Sequence, residues 1–150
     1  METKYKKVVD HLNEILEKNT DAEKGYTKAA ENATNIALKS FFNRKANHRM
    51  EFNENLIREM RSLYPDFKEK GSFTGDLHRT WMDIKAFFTV DNDEAMLEEA
   101  IRGDKAAVAE YEDILQHENL PVNISYVIKD QLVKIKADLS EVKTLEDLNK

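Results

Sequence analysis

Apolar residues recur along this chain every three or four positions, the spacing that places them on one face of an α-helix. Four stretches show the pattern: the first two follow each other almost directly, and a short turn before Pro121 separates the last two. The predicted helices cover about residues 4–37, 38–64, 92–118 and 122–148, with fraying near Thr144. Because such helices bury their apolar faces against one another, the sequence predicts one all-α domain over residues 1–150, a four-helix bundle.

The second and third predicted helices are separated by about 25 residues, far more than a short turn needs. A chain that returns along the whole bundle before the next helix begins requires a connection of this length. One such crossover is the ferritin-like arrangement. Residues 75–88 carry a short helical pattern of their own, with Leu77, Trp81, Ile84 and Phe88 on one side, and we expect this crossover helix to dock through Trp81.

Two glycines inside the predicted helices need a reason, because glycine costs about 1 kcal/mol relative to alanine in a helix. Gly25 and Gly103 each lie beside several alanines. We interpret both as positions where two helices approach each other closely.

Composition narrows the class of protein. Four glycines and two prolines in 150 residues argue against a fold of strands and turns. The absence of cysteine excludes disulfides, thiol catalysis, cysteine-ligated zinc and iron–sulfur clusters. No stretch approaches the roughly 18 consecutive apolar residues of a membrane span. The sequence therefore predicts a soluble cytoplasmic protein that has no membrane partner.

The net charge of −6 is unevenly distributed. Residues 76–150 carry 9 basic and 17 acidic side chains, and residues 91–118 alone carry 2 basic and 10 acidic ones. An acidic surface of this kind repels phosphate backbones, so no nucleic-acid partner is expected. The ordinary structural interpretation of the acidic run is a solvated helix face.

Several stretches of the chain resemble an uncharacterised bacterial family of four-helix-bundle proteins placed in the ferritin-like superfamily. They are GYTKAAENA, GSFTGDLHRTWMDIK and LEEAIRGDKAAVAEYEDIL, followed by LP and Gln131. The most specific part is the string LHRTW followed two dozen residues later by RGD. That family has no known function, so the resemblance implies a ferritin-like fold and a bacterial origin.

The usual chemistry of ferritin-like bundles can be tested on the sequence. A di-iron site takes a Glu from each of two helices and a Glu-x-x-His from each of the other two. Three residues before His11, His48, His78 and His117 stand Val8, Lys45, Gly75 and Ile114, so the motif is absent. The fourth predicted helix has no histidine, and Leu139-Ser140 stand where the resembled family carries a His-Asp pair. We therefore expect no metal and no cofactor, with iron as the alternative.

A degenerate metal site remains conceivable from five residues on the four predicted helices: Glu23, His48, Glu51, Glu98 and Asp138. Each has a simpler interpretation. An unpaired charge on an apolar helix face is costly, so we expect Glu23 to pair with Arg49, which also interrupts an apolar face. His48 and Glu51 are helical neighbours that more often form a local hydrogen bond, and Asp138 can be solvated.

A ligand pocket is the remaining candidate site. His78, Arg79 and Trp81 could bind an anion beneath the crossover, with Arg49 and Gln131 as polar residues of the core. A histidine beside a docked tryptophan is more often a packing residue, and we interpret His78 in that way.

These observations lead to one preferred hypothesis and two alternatives. The preferred one is a non-enzymatic ferritin-like bundle without catalytic residues and without a standard di-iron site. It acts through protein contacts, with a second copy of itself or with another protein, and a role in the stress response is the family-level hypothesis. The alternatives are a degenerate carboxylate metal protein and a small-molecule-binding bundle.

Overall fold

The computed structural model describes residues 3–68 and 92–149. Over these residues the chain is helical, and its elements are α1 (Thr3–Asn32), α2 (Ile36–Leu63), α3 (Asp93–His117), α4 (Val122–Glu141) and a 3-10 helix (Leu145–Asn149). The predicted all-α class is confirmed, and the four long helices are consistent with a four-helix bundle.

The turn between α1 and α2 shows why α1 ends at Asn32, before the predicted residue 37. Asn35 caps α2, because its side-chain oxygen accepts a hydrogen bond from the backbone N–H of Leu38 at 3.1 Å. The carboxylate of Asp93 accepts hydrogen bonds from the backbone N–H groups of Thr34, at 2.9 Å, and Asn35, at 2.8 Å. A side chain more than fifty residues away thus stabilises the turn, which periodicity alone does not reveal.

The later helices begin and end at similar local signals. The side chain of Asn92 accepts a hydrogen bond from the backbone N–H of Ala95 at 2.9 Å and caps α3. Helix α4 ends at Glu141, before the predicted residue 148. The carboxylate of Asp147 accepts backbone hydrogen bonds from Lys143 and Thr144, at 2.8 and 3.1 Å, and holds the chain in the turn that precedes the 3-10 helix.

Contacts between the helices fix their directions. Thr34, just past the end of α1, binds Asp93 at the start of α3, so α1 and α3 are antiparallel neighbours. Arg44, near the start of α2, binds Asp138, near the end of α4, so α2 and α4 are antiparallel neighbours as well. Helices α2 and α3 therefore begin at the same end of the bundle and run in the same direction.

The buried apolar side chains form two clusters, one toward each end of the bundle. The first is built around Leu12, Ile15, Leu56, Met60, Ile114, Ile124 and Ile128. The second is built around Ala29, Leu38, Phe42, Met96 and Ala100. Burying one large aliphatic side chain contributes about 1.5 to 3 kcal/mol, so these clusters supply most of the drive for the helices to associate.

Residues 69–91 lie outside the described residues. They contain the predicted crossover helix and the candidate residues His78, Arg79 and Trp81, so docking through Trp81 stays a prediction. Among the helices that the structure describes, none is both long and apolar enough to cross a membrane.

Candidate functional site

A layer of buried polar residues crosses the bundle between the two apolar clusters, and each of the four helices contributes two side chains. We call it the central layer, and all its members are at most 7% exposed. They are Asn19 and Tyr26 of α1, Lys45 and Arg49 of α2, Asp104 and Tyr111 of α3, and Gln131 and Asp138 of α4. Because burying a polar group is costly unless it is hydrogen-bonded, the partners of these residues decide what the layer can do.

Asp104 is the acceptor on which three donors of the layer converge. Its carboxylate accepts hydrogen bonds from the Tyr26 hydroxyl at 2.7 Å, from Nη2 of Arg49 at 2.8 Å and from Nζ of Lys45. Burial alone would raise the pKa of Asp104. The charges of Lys45 and Arg49 outweigh burial and hold this pKa below its ordinary value. Asp104 is therefore ionised in the folded protein.

Lys45 joins the two carboxylates of the layer. Its Nζ donates to Asp104 and, at 3.1 Å, to Oδ2 of Asp138. The same ammonium lies 5.0 Å from the ring centroid of Tyr26, a favourable cation–π distance. Arg44 reaches Oδ1 of Asp138 at 3.0 Å from the more exposed edge of the bundle. Asp138, interpreted from sequence as solvated, is instead a buried, ion-paired residue.

A second chain of hydrogen bonds extends the layer toward α4. Nη1 of Arg49 donates to the Asn19 side-chain oxygen at 2.7 Å, and the Asn19 amide donates to the Tyr111 hydroxyl at 3.0 Å. Tyr111 donates to the Gln131 side-chain oxygen at 2.6 Å, and the Gln131 amide donates to the backbone carbonyl of Phe52 at 2.9 Å. Burial raises the pKa of Tyr111 above its ordinary value, so this hydroxyl stays protonated and acts as a donor.

The formal charges of the central layer cancel. Lys45 and Arg49 supply two positive charges, and Asp104 and Asp138 supply two negative ones. A metal ion here would have to displace Lys45 and Arg49 from the carboxylates, and the positive charges of these two side chains would repel it. The residues present therefore do not fit a di-iron centre.

The predicted pairing of Glu23 with Arg49 is wrong. Arg49 is held by Asp104 and Asn19, whereas Glu23 is partly exposed on α1. The physical requirement behind the prediction holds, since the buried guanidinium does have a carboxylate partner. That partner comes from α3, and periodicity within α1 and α2 does not show which acid of another helix lies opposite.

The five residues of the conceivable metal site do not come together. Glu51 and Glu98 are exposed. His48 is partly buried and stacks on Phe52, with 6.2 Å between ring centroids, and burial together with nearby Arg44 lowers its pKa below the ordinary value. Asp138 is the one member that belongs to the central layer.

Lys45 and Asp104 are the central residues that sequence reasoning missed. Lys45 lies three positions after Phe42 and four before Arg49, so it continues the buried face of α2. Asp104 lies between Ile101 and Val108 at the same spacing on α3. In both helices the signal was a charged residue at the spacing of the apolar face. Pairing Lys45 with Asp104 across the two helices would have identified the central layer.

A cleft of about 450 Å³ opens beside the central layer, between α1 and α3. Its lining includes the small residues Ala22, Ala100, Gly103, Ala106 and Ala107, together with Asn19, Tyr26, Arg49 and Tyr111 of the central layer. A Cβ atom added at Gly103 would meet no other atom within 4 Å. The prediction that Gly103 marks a close approach of two helices is therefore wrong, because the small residues border an open space.

Asp21 also lines this cleft and is the least satisfied carboxylate there. It is 3% exposed, and its Oδ1 is buried without a hydrogen-bond partner in the described part of the chain. Burial raises the pKa of Asp21 to about 6, although nearby Lys24 acts in the opposite direction. The cleft thus combines small apolar residues, polar residues of the central layer and a carboxylate that ionises near neutral pH.

Comparison with known protein families gives one match. A family model described as a domain of unknown function (DUF2383) covers residues 7–117, which include all of α2 and α3 and nearly all of α1. No curated protein and no solved structure matches the chain. The expected relation to an uncharacterised family is confirmed.

Proposed function

The chain belongs to the DUF2383 family, whose function is unknown, and we propose that it is a non-enzymatic ferritin-like bundle without a standard di-iron site. The directions of α2 and α3 support the ferritin-like part. Both begin at the same end of the bundle, and a connection that returns along its length would join them. A bacterial origin, a cytoplasmic location and a role in the stress response are parts of this proposal that rest on the sequence.

The composition of the central layer carries the proposal. Ferritin-like metal sites use inward-facing carboxylates of the four helices to hold two iron ions. Here the inward carboxylates Asp104 and Asp138 bind Lys45 and Arg49, two cations supplied by the chain itself. The protein's own ammonium and guanidinium groups take the electrostatic role that metal ions have in a di-iron bundle.

Metal analysis tests this proposal. The protein purified from iron-supplemented medium is expected to carry far less than two irons per chain and to show no ferroxidase activity, since its carboxylates are already neutralised. Two irons per chain, or iron oxidation faster than in buffer, would contradict it.

An exposed apolar stripe on α4 supports the part of the proposal that concerns protein contacts. Val122, Tyr126 and Val133 lie on one face of this helix and are 64% to 68% exposed. Asp130 and Lys134 lie next to each other along one edge of the stripe, so two copies packed antiparallel along α4 can place acid against base. We propose a second copy of this chain as the partner on this face.

Self-association can be measured by light scattering on the size-exclusion peak of the full chain. Wild type is expected to be a dimer, and the Tyr126→Lys, Val133→Lys double variant a monomer, because charge replaces the apolar contact. Met50→Lys, which replaces an exposed apolar residue of α2, is the matched control and is expected to stay dimeric. A monomeric wild type at high concentration would refute the α4 contact.

Small-molecule binding is a second candidate function, favoured by the cleft between α1 and α3. Its volume lies within the range of ordinary ligand pockets, and polar groups of the central layer converge in it beside small apolar residues. A thermal-shift screen of metabolites tests this candidate, and Gly103→Leu supplies the specificity control. The variant fills open space, so it is expected to fold and to lose binding, whereas Ala109→Leu on the exposed side of α3 should bind normally.

A further inference from the structure

His11 of α1 lies among acidic side chains at the end of the bundle where α3 finishes. Its side chain is 16% exposed, and its Nε2 is 3.8 Å from Oε1 of Glu110 and 3.7 Å from Oδ2 of Asp113. On the other side of the ring, Nδ1 is 3.7 Å from Oε1 of Glu118. All three separations exceed a hydrogen bond, so the imidazole faces the carboxylates without being bonded to them.

Three donor atoms converge at this place. One atom each of His11, Glu14 and Glu110 lies within 4.8 Å of the others, and within the described residues this is the one such group of histidine and acidic side chains. His11 and Glu14 are three positions apart on α1, and Glu110 approaches from α3. One imidazole nitrogen and two carboxylate oxygens form a donor set typical of zinc and related divalent ions.

We propose that His11, Glu14 and Glu110 bind one divalent transition-metal ion, zinc being the closest match, in the seam between α1 and α3. The ion binds Nε2 of His11, the nitrogen that faces Glu110. Water or the more exposed Asp113 completes the coordination. We call these three ligands together with Asp113 and Glu118 the His11 cluster.

The position of Glu118 is an independent observation that points to a metal. Its side chain is 9% exposed, and the contact of its carboxylate within the described residues is the one with the His11 imidazole, at 3.7 Å. In metal sites the ligating histidine commonly donates its second ring N–H to a carboxylate, which fixes the ring orientation. Glu118 faces Nδ1, the nitrogen that metal binding on Nε2 leaves free to donate.

The charges of the His11 cluster also favour a cation. Lys18 pairs with Oε2 of Glu110 at 2.8 Å and leaves Oε1 directed toward His11. Besides Lys18, the described ion pairs bring only two imidazoles to the four carboxylates of the cluster, those of His11 and of the exposed His117, which pairs with Asp113. A divalent ion would remove most of this negative excess and would join α1 to α3.

Zinc titration of the tag-free full chain, freed of metal with a chelator, tests the proposal by calorimetry and native mass spectrometry. We expect one Zn²⁺ per chain and a rise in melting temperature, because the ion binds only the folded seam. The His11→Gln and Glu110→Gln variants should each bind more than about 100-fold more weakly, and Glu118→Gln about 10- to 100-fold more weakly. Circular dichroism of each variant checks that it is folded.

His117→Gln is the matched control, because His117 is exposed at the same end of α3 and pairs only with its helical neighbour Asp113. This variant should bind zinc as wild type does. Equal affinity of wild type and His11→Gln, an equal loss in His117→Gln, or one zinc per two chains would overturn the proposal. Zinc binding at the His11 cluster can be tested separately from the proposal that the central layer holds no iron. The His11→Gln variant lacks a ligand of the zinc site and keeps the central layer, so its iron content reports on that layer alone.

Discussion

The central layer and the His11 cluster are two groups of charges in one bundle, and they satisfy those charges differently. In the central layer the two carboxylates accept hydrogen bonds from side-chain cations of α2, at 2.8 Å from Arg49 to Asp104 and at 3.0 and 3.1 Å from Arg44 and Lys45 to Asp138. In the His11 cluster the nitrogen–oxygen separations around the imidazole are 3.7 to 3.8 Å, and acids outnumber bases. Water screens charges near the surface, whereas a buried charge requires a partner from the chain. A place for an external cation therefore exists at the seam and is missing in the core.

Removing one cation of the central layer is expected to have the largest effect. Lys45→Met leaves Asp104 and Asp138 without the ammonium that joins them, so the free energy of unfolding should fall by about 3 to 5 kcal/mol. Urea denaturation followed by circular dichroism measures this change. Lys134→Met is the control, since its ion pair with Asp130 is exposed and should contribute less than about 1 kcal/mol. Equal losses in the two variants would mean that the buried ion pairs of the central layer stabilise the protein no more than an exposed ion pair does.

Asp93 tests whether an acid bound by backbone N–H groups stabilises the bundle as an ion pair does. Asp93→Ala removes three hydrogen bonds from the turn between α1 and α2 and should cost about 1 to 2 kcal/mol. Burial is the largest single influence and opposes ionisation, but the N–H groups of Thr34 and Asn35, the Thr34 hydroxyl and the charge of Lys39 together hold the pKa of Asp93 below its ordinary value. Its contribution is therefore present above the unfolded pKa and is lost as the pH falls through the folded pKa.

The contribution of Asp93 can be measured as the pH dependence of the free energy of unfolding. The stability difference between wild type and Asp93→Ala should be constant at neutral pH and shrink below about pH 4. Glu94→Ala, an exposed neighbour in the same helical turn, should show little difference at any pH. A stability difference between wild type and Asp93→Ala that grows as the pH falls would contradict the role of ionised Asp93 in the turn.

Asp21 is expected to give the smallest change, and one of opposite sign. Its pKa is raised to about 6 by burial, so ionisation at neutral pH destabilises the folded state. Asp21→Asn should therefore raise the free energy of unfolding by about 1 kcal/mol at pH 7.5. Wild type should gain stability as the pH falls from 7 toward 4, because the folded state then binds more protons, and the variant should lack this gain. Asp10→Asn, at an exposed acid of α1, is the control.

Sequence periodicity predicted the helices well because it depends on burial within each helix. Their ends were less predictable. Helix α1 ends at Asn32 partly because Asp93 binds the following turn, and that acid lies on another helix. Helix α4 ends at Glu141 although its apolar pattern continues, because Asp147 binds the N–H groups of Lys143 and Thr144 and holds a turn there. End points set by long-range partners are not encoded in local spacing.

The candidate site was predictable in part for the same reason. Arg49 and Gln131 stood out as polar residues of the core, and both lie in the central layer. The absence of Glu-x-x-His argued against an iron site. The predicted partner of Arg49, Glu23, was wrong. Choosing Asp104 requires the relative register of α2 and α3, which follows from packing rather than from either helix alone.

A double-mutant cycle on Arg49 and Asp104 tests most directly the claim that the chain's own cations neutralise the central layer. Arg49→Met and Asp104→Leu should each cost about 3 to 5 kcal/mol, and the double variant should recover at least about 2 kcal/mol of the summed loss. Arg49→Met combined with Glu23→Gln is the matched control and should be additive. Additive losses for Arg49 and Asp104, or coupling of equal size to Glu23, would contradict the account.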